Sequence, residues 1–103
     1  MQVRTIRMKK KTIIKYLSVH KSEFEQQFGV TKIGLFGSYA REEDHEGSDI
    51  DIVVELKKPD LLTLVGIKQK IEEDLGVSVD VVRYRERMNR TLKERINQDA
   101  VYA

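Results

Sequence analysis

Residues 48–56 read Ser-Asp-Ile-Asp-Ile-Val-Val-Glu-Leu, and the fold is decided here. Successive side chains of a β-strand point to opposite faces. Ile50, Ile52, Val54 and Leu56 therefore share one face, and Asp49, Asp51, Val53 and Glu55 the other. A second apolar run, Val77–Tyr84, repeats the alternation: Val77, Val79 and Val81 point one way, Ser78, Asp80, Val82 and Tyr84 the other. Between the runs, Pro59-Asp60 opens a helical segment from about residue 60 to 75, with Leu61, Leu64, Val65, Ile67, Ile71 and Leu75 largely on one side and Gly76 closing it. A crossover of about 20 residues containing a helix fits a parallel pair with a right-handed connection. The starts of both strands then lie at one sheet end. Asp49 and Asp51 are expected beside Asp80, on the face that the hydrophobic helices leave bare.

Working upstream, Ile13, Leu17, His20, Phe24 and Phe28 recur at helical spacing before Gly29, predicting a helix over 9–28. Lys32–Phe36 is a short β run ending in Gly37-Ser38, and Ser38 is placed to cap a short helix, Tyr39–Glu43. Downstream, 86–99 is a last helix. The order α-β-α-β-α-β-α predicts an α/β fold, a small mixed three-stranded sheet with helices packed mainly on one face. One domain over 1–103 is expected, with 1–8 as a flexible N-terminal lead and Met8 as an alternative start.

Composition narrows the chemistry. With no cysteine among 103 residues, disulfides, thiolate catalysis and Cys-ligated metal sites are excluded. No stretch approaches the roughly 20 apolar residues of a membrane span, and the basic N-terminus lacks the apolar centre of a secretory signal. A cytoplasmic domain without a membrane role is expected. The net charge of +2 hides segregation. Residues 1–21 carry seven Lys/Arg and no acid, 41–60 carry eight acids against three bases, and 83–95 carry six bases. That layout suits an acidic metal-binding cluster flanked by cations that meet phosphates or an acidic partner.

Three neighbouring carboxylates repel one another, and leaving them unpaired in a half-buried site costs several kcal/mol. A divalent cation resolves the conflict. All-oxygen ligands point to Mg²⁺, with Mn²⁺ as a substitute, rather than zinc. Asp-x-Asp on a strand sets the two Cα atoms about 6.7 Å apart, close enough to share one ion or bridge two. Gly37-Ser38 adds a second component: a strand ending at a helix start offers free backbone N–H groups and a hydroxyl to a phosphate. The sequence GLFGSYAR lacks the Lys-Ser/Thr pair of a Walker A loop. Arg41 lies one turn on, within reach of a phosphate or of a neighbouring acid. His20 and His45 read as structural or solvated residues, and Arg83, Arg85 and Arg87 as cations around the end of the third strand.

Gly37-Ser38, ten intervening residues, Asp49-Ile-Asp51 and a later Val-Asp80-Val strand together resemble the nucleotidyltransferase superfamily of DNA polymerase beta. Within it, the short length, GSYAR at 37–41, SDIDIVV at 48–54 and VDVV at 79–82 resemble the minimal nucleotidyltransferases, the MntA-like antitoxins. The resemblance spans roughly 10–102. It implies that Asp49 and Asp51 bind the Mg²⁺ that holds the triphosphate, that Asp80 completes the site beside the attacking hydroxyl, and that Gly37 and Ser38 contact the phosphates. It also implies a partner, a HEPN-domain RNase toxin, silenced by transfer of AMP from ATP to a tyrosine. The larger aminoglycoside nucleotidyltransferases carry a C-terminal acceptor domain that these 103 residues do not include, so a drug substrate is not expected.

Two functions therefore stand: a Mg²⁺-dependent nucleotidyltransferase acting on a protein hydroxyl, and a catalytically idle antitoxin that neutralises its partner by contact. Both need a partner, because nothing in the chain is long enough to roof the carboxylate face. A nucleic-acid-binding module is weaker, as aromatic interleaving and recognised motifs are lacking.

Overall fold

The computed structural model describes residues 8–103. Helix α1 (Lys10–Phe28) leads into strand β1 (Val30–Phe36), followed by β2 (Ile50–Leu56), helix α2 (Leu61–Leu75), β3 (Val79–Arg83), helix α3 (Arg90–Asp99) and the two-residue strand β4 (Val101–Tyr102). The sheet order is β3-β2-β1-β4. β1 runs antiparallel to β2 and to β4, and β2 runs parallel to β3. The expected parallel pair and its helical crossover are thus present. All but Met8 of the lead expected at 1–8 lies outside the described residues, and Met8 packs partly buried against the core.

Each long helix ends where its sequence says it should. Gly29 adopts φ 69°, and its N–H closes α1 on the carbonyls of Glu25 and Phe24. Asp60 caps α2 by accepting from the Leu62 N–H at 2.9 Å, and Gly76 ends it at φ 71°. From α1, Ile13, Leu17 and Phe24, and from α2, Ile67 and Ile71, pack on Ile33, Leu35, Ile50, Ile52, Val54 and Val79 of the sheet. Leu61, Leu62 and Val65, in contrast, are exposed on the first turns of α2. The apolar side of α2 is narrower than expected, because only its later turns lie against β3 and α1.

Four further features depart from expectation. The sheet has a fourth strand: the chain leaves α3 at Ala100 and pairs Val101 and Tyr102 with Leu35 and Gly34. Gly34 makes room for it, since a side chain there would meet the Tyr102 ring and the Val101 carbonyl at 2.9 Å. The helix expected at Tyr39–Glu43 is only a turn. Its Arg41 N–H reaches the Gly37 carbonyl at 3.1 Å, but Glu42 takes φ 58° and helical propagation stops. α3 begins at Arg90 rather than 86, because the Asn89 side chain caps it by accepting from the Leu92 N–H at 3.0 Å.

The fourth departure matters most. α3 packs on the opposite face from α1 and α2, where Ile96 is fully buried with Phe36 and Val53, flanked by Val82, Tyr84, Met88 and Leu92. Two of three helices share one face, but the aspartate face is not bare. The chain partly roofs it. Among the described residues no helix is long and apolar enough to cross a membrane. Ile96→Ala should lower stability by about 2–5 kcal/mol through lost burial and an unfilled cavity, read as a lower denaturant midpoint at unchanged slope; an unchanged midpoint would show that α3 is not packed on the sheet.

Candidate active site

β2 and β3 are in parallel register with Asp51 directly beside Asp80. Paired residues on neighbouring strands lie about 4.8 Å apart and share a face, so both carboxylates project from the face that carries Phe36, Val53 and Val82. Asp49 stands two residues earlier, exposed on the approach to β2. The Ile50 N–H, bonded to the Ser78 carbonyl at 3.1 Å, ties that approach to the start of β3.

Electrostatics mark Asp51 as the centre. Burial pushes its carboxyl above the ordinary 3.8, Asp80 pushes it further, and Asp49 adds to the push, while Arg95 and Arg41 pull the other way. Asp51 thus sits among like charges that the protein offsets only in part. Among the described residues, no three His, Cys, Asp or Glu side chains form a ready-made metal cage. A donor set of two adjacent carboxylates with a third nearby nonetheless fits Mg²⁺, which usually takes one or two carboxylates and completes its shell with water and substrate phosphates.

The Gly37-Ser38 elbow follows β1, whose Phe36 pairs with Asp51. Gly37 adopts φ 79°, and a Cβ built on it would fall 2.2 Å from Asp51 Oδ2. The elbow and the central carboxylate are therefore in direct apposition, possible only for glycine on both steric and dihedral grounds. Ser38 is half-buried at the start of the turn, and its carbonyl accepts from the Glu43 N–H at 2.9 Å. Arg41 lies in the same turn. Its guanidinium is held by Asp99 at 2.6 Å and Glu43 at 3.2 Å. Asp99 is 7% exposed, so this bridge fastens the end of α3 to the elbow.

The remaining candidates lie elsewhere or serve the scaffold. His20 stacks on Tyr16 with its Nδ1 2.9 Å from the Tyr16 carbonyl oxygen. The His45 N–H donates to Ser48 Oγ within the acidic loop. A cleft of about 790 Å³ opens between the first turn of α1 and the 42–44 turn, lined by Met8, Lys9, Lys10, Lys11, Ile14, Glu42 and Asp44. Reading the sequence missed the involvement of Arg95 and Asp99. The spacing 92, 95, 96, 99 is the signal that locates them, since it is one helical stripe that includes the buried Ile96.

Residues 17–102 match the nucleotidyltransferase domain family. Over 67 residues the chain is 45% identical to the protein adenylyltransferase MntA of Thermococcus cleftensis, covering 64% of this chain and 68% of that protein. A solved structure assigned to the minimal nucleotidyltransferases superposes with a TM-score of 0.75 at 30% identity, over 94% of this chain and 98% of that one. A complex of the tri-AMPylated Shewanella oneidensis HEPN toxin with its MNT antitoxin contains a similar chain, with a TM-score of 0.57 at 26% identity, over 90% of this chain and 66% of that one.

Two outcomes follow from the crowding at Asp51. The folded carboxyl binds its proton more tightly than the unfolded one, so the stability it contributes is present below the ordinary value and lost as pH rises through the raised one. Asp51→Asn should therefore melt above the wild type at neutral pH without divalent cations, with the gap closing on acidification; a lower melting temperature would contradict the crowding. Gly37→Ala should displace the Asp51 side chain and cost more than about 1 kcal/mol, measured by chemical denaturation.

Proposed function

This chain belongs to the nucleotidyltransferase domain family, as a minimal nucleotidyltransferase of the protein adenylyltransferase kind, and from that premise we propose how its residues act and on what. It is an antitoxin that transfers AMP from ATP to a tyrosine hydroxyl of a HEPN-type RNase toxin. The observation that carries this reading is the register pair Asp51–Asp80 with the Gly37 elbow directly against Asp51, an acidic centre beside a turn suited to phosphate.

In the transfer, the acceptor oxygen forms a bond to the α-phosphorus while the bond from that phosphorus to the bridging oxygen breaks. Pyrophosphate leaves and the hydroxyl proton is released. Asp49 and Asp51 would hold Mg²⁺ against the triphosphate, and Asp80 would join Asp51 beside the acceptor. Bound there, the ion supplies charge neutralisation of the phosphates and makes the hydroxyl easier to deprotonate. Asp51 and Asp80, next to the acceptor, would help take up that proton. Gly37 and Ser38 present backbone N–H groups and a hydroxyl to phosphate oxygens. Arg41 supplies positive charge from a guanidinium whose orientation Asp99 fixes.

The acceptor comes from another chain. α3 covers the β1 side of the carboxylate face, and Asp80 on the edge strand β3 is left exposed to an incoming side chain. The deciding experiment mixes the chain with its HEPN partner, ATP and Mg²⁺, then weighs the partner by intact mass spectrometry. Added AMP is expected with the wild type, and none with Asp49→Asn, Asp51→Asn or the magnesium-free mixture. A partner that is neutralised at unchanged mass would replace this reading with inhibition by contact alone.

A further inference from the structure

α3 has one stripe that faces the sheet, made of Leu92, Arg95, Ile96 and Asp99 at the i, i+3, i+4, i+7 spacing of a helix face. Three of these positions are accounted for. Leu92 and Ile96 pack on Phe36 and Val53, and Asp99 holds Arg41. Arg95 lies in the same stripe between them, one turn before Asp99, yet it remains exposed and makes no ion pair with any described acid. Residues 1–7 contain no acid either. The other cations of this helix behave differently: Arg90 pairs with Glu94, and Lys93 with Glu86.

An unpaired guanidinium on this stripe, near enough to Asp51 to offset part of its charge, is free to take an anionic ligand. The aspartates cannot be its lasting one if they hold a cation. In-line displacement separates the two ends of the reaction: acceptor and leaving group lie on opposite sides of the α-phosphorus. β3, with Asp80, is the open edge, and α3 packs over β1 and the elbow on the other side. We propose that Arg95 is a substrate-binding residue that grips the β- and γ-phosphates of the nucleoside triphosphate, on the leaving-group side of the site. Its planar fork suits two phosphate oxygens at once, which a lysine cannot match. Arg95 and Arg41 then form a pair of cations on either side of the pyrophosphate, one free and one held in place by Asp99. This inference rests on the nucleotidyltransferase reading of the site.

The test measures equilibrium binding of ATP and AMP with Mg²⁺ to the wild type, Arg95→Ala, Arg95→Lys and, as a control, Arg90→Ala. Arg95→Ala should weaken ATP binding by about tenfold or more, the value of a charge-assisted contact, and leave AMP binding unchanged. Arg95→Lys should fall between, and Arg90→Ala should match the wild type. Because Arg95 is exposed, Arg95→Lys should melt with the wild type, and Arg95→Ala should melt only slightly lower, through the lost offset at Asp51. ATP affinity unaltered in Arg95→Ala, or equal losses for ATP and AMP, would overturn the role of Arg95 while sparing the reading of the site. A wild type that binds neither nucleotide would overturn both.

Discussion

Two carboxylates held side by side by a parallel strand pair are the constraint on which the rest of the structure depends. Asp51 and Asp80 cannot separate without breaking the β2–β3 register, and that register is secured by Ile50, Ile52, Val54 and Val79 buried beneath α1 and α2. A slip of one residue would turn those apolar side chains out to water and the aspartates inward. Burial on one face thus holds like charges together on the other. The hydrophobic core does work that the charges alone would oppose. What remains uncompensated at Asp51 is negative charge, which the proposed cation would offset.

The second face is built with the same economy. α3 supplies few core contacts, with Ile96 its one fully buried residue, and so is a modest contributor to stability for its length. Its inward stripe combines packing with charge. Leu92 and Ile96 anchor the helix to Phe36 and Val53, Asp99 steadies Arg41, and the exposed Arg95 offsets part of the charge on Asp51. One short helix thereby covers half of a reaction face and furnishes part of its electrostatics. The β3 side stays open, which leaves Asp80 accessible.

Much of this was legible in the sequence because alternation is an unambiguous code. The strand Ile50–Leu56 was placed to the residue, its faces were assigned correctly, and the crossover length implied the parallel partner that brings Asp80 to Asp51. Glycine stops and the Asp60 cap bounded the two long helices. The apposition of Gly37-Ser38 to the aspartates follows once β1 runs antiparallel to β2, the one condition that residue types alone leave open. What escaped was the face on which the last helix packs and the strand that follows it. α3 carries too little apolar surface for its side of the sheet to be read, and a two-residue strand such as β4 has no period at all. The turn at 38–42 misled because Ser38 signals a helix start, whereas the left-handed Glu42 that ends it leaves no mark in residue type.

The bridge between Arg41 and Asp99 has a dynamic meaning. It joins residues 58 apart in sequence, one in the elbow and one at the end of the final helix. Fraying of that helix would release the elbow's guanidinium and loosen the adjoining backbone together, so the two segments should behave as a single cooperative opening unit with similar amide-exchange protection. A protein docking against α3 would then stiffen the Gly37-Ser38 elbow without touching it.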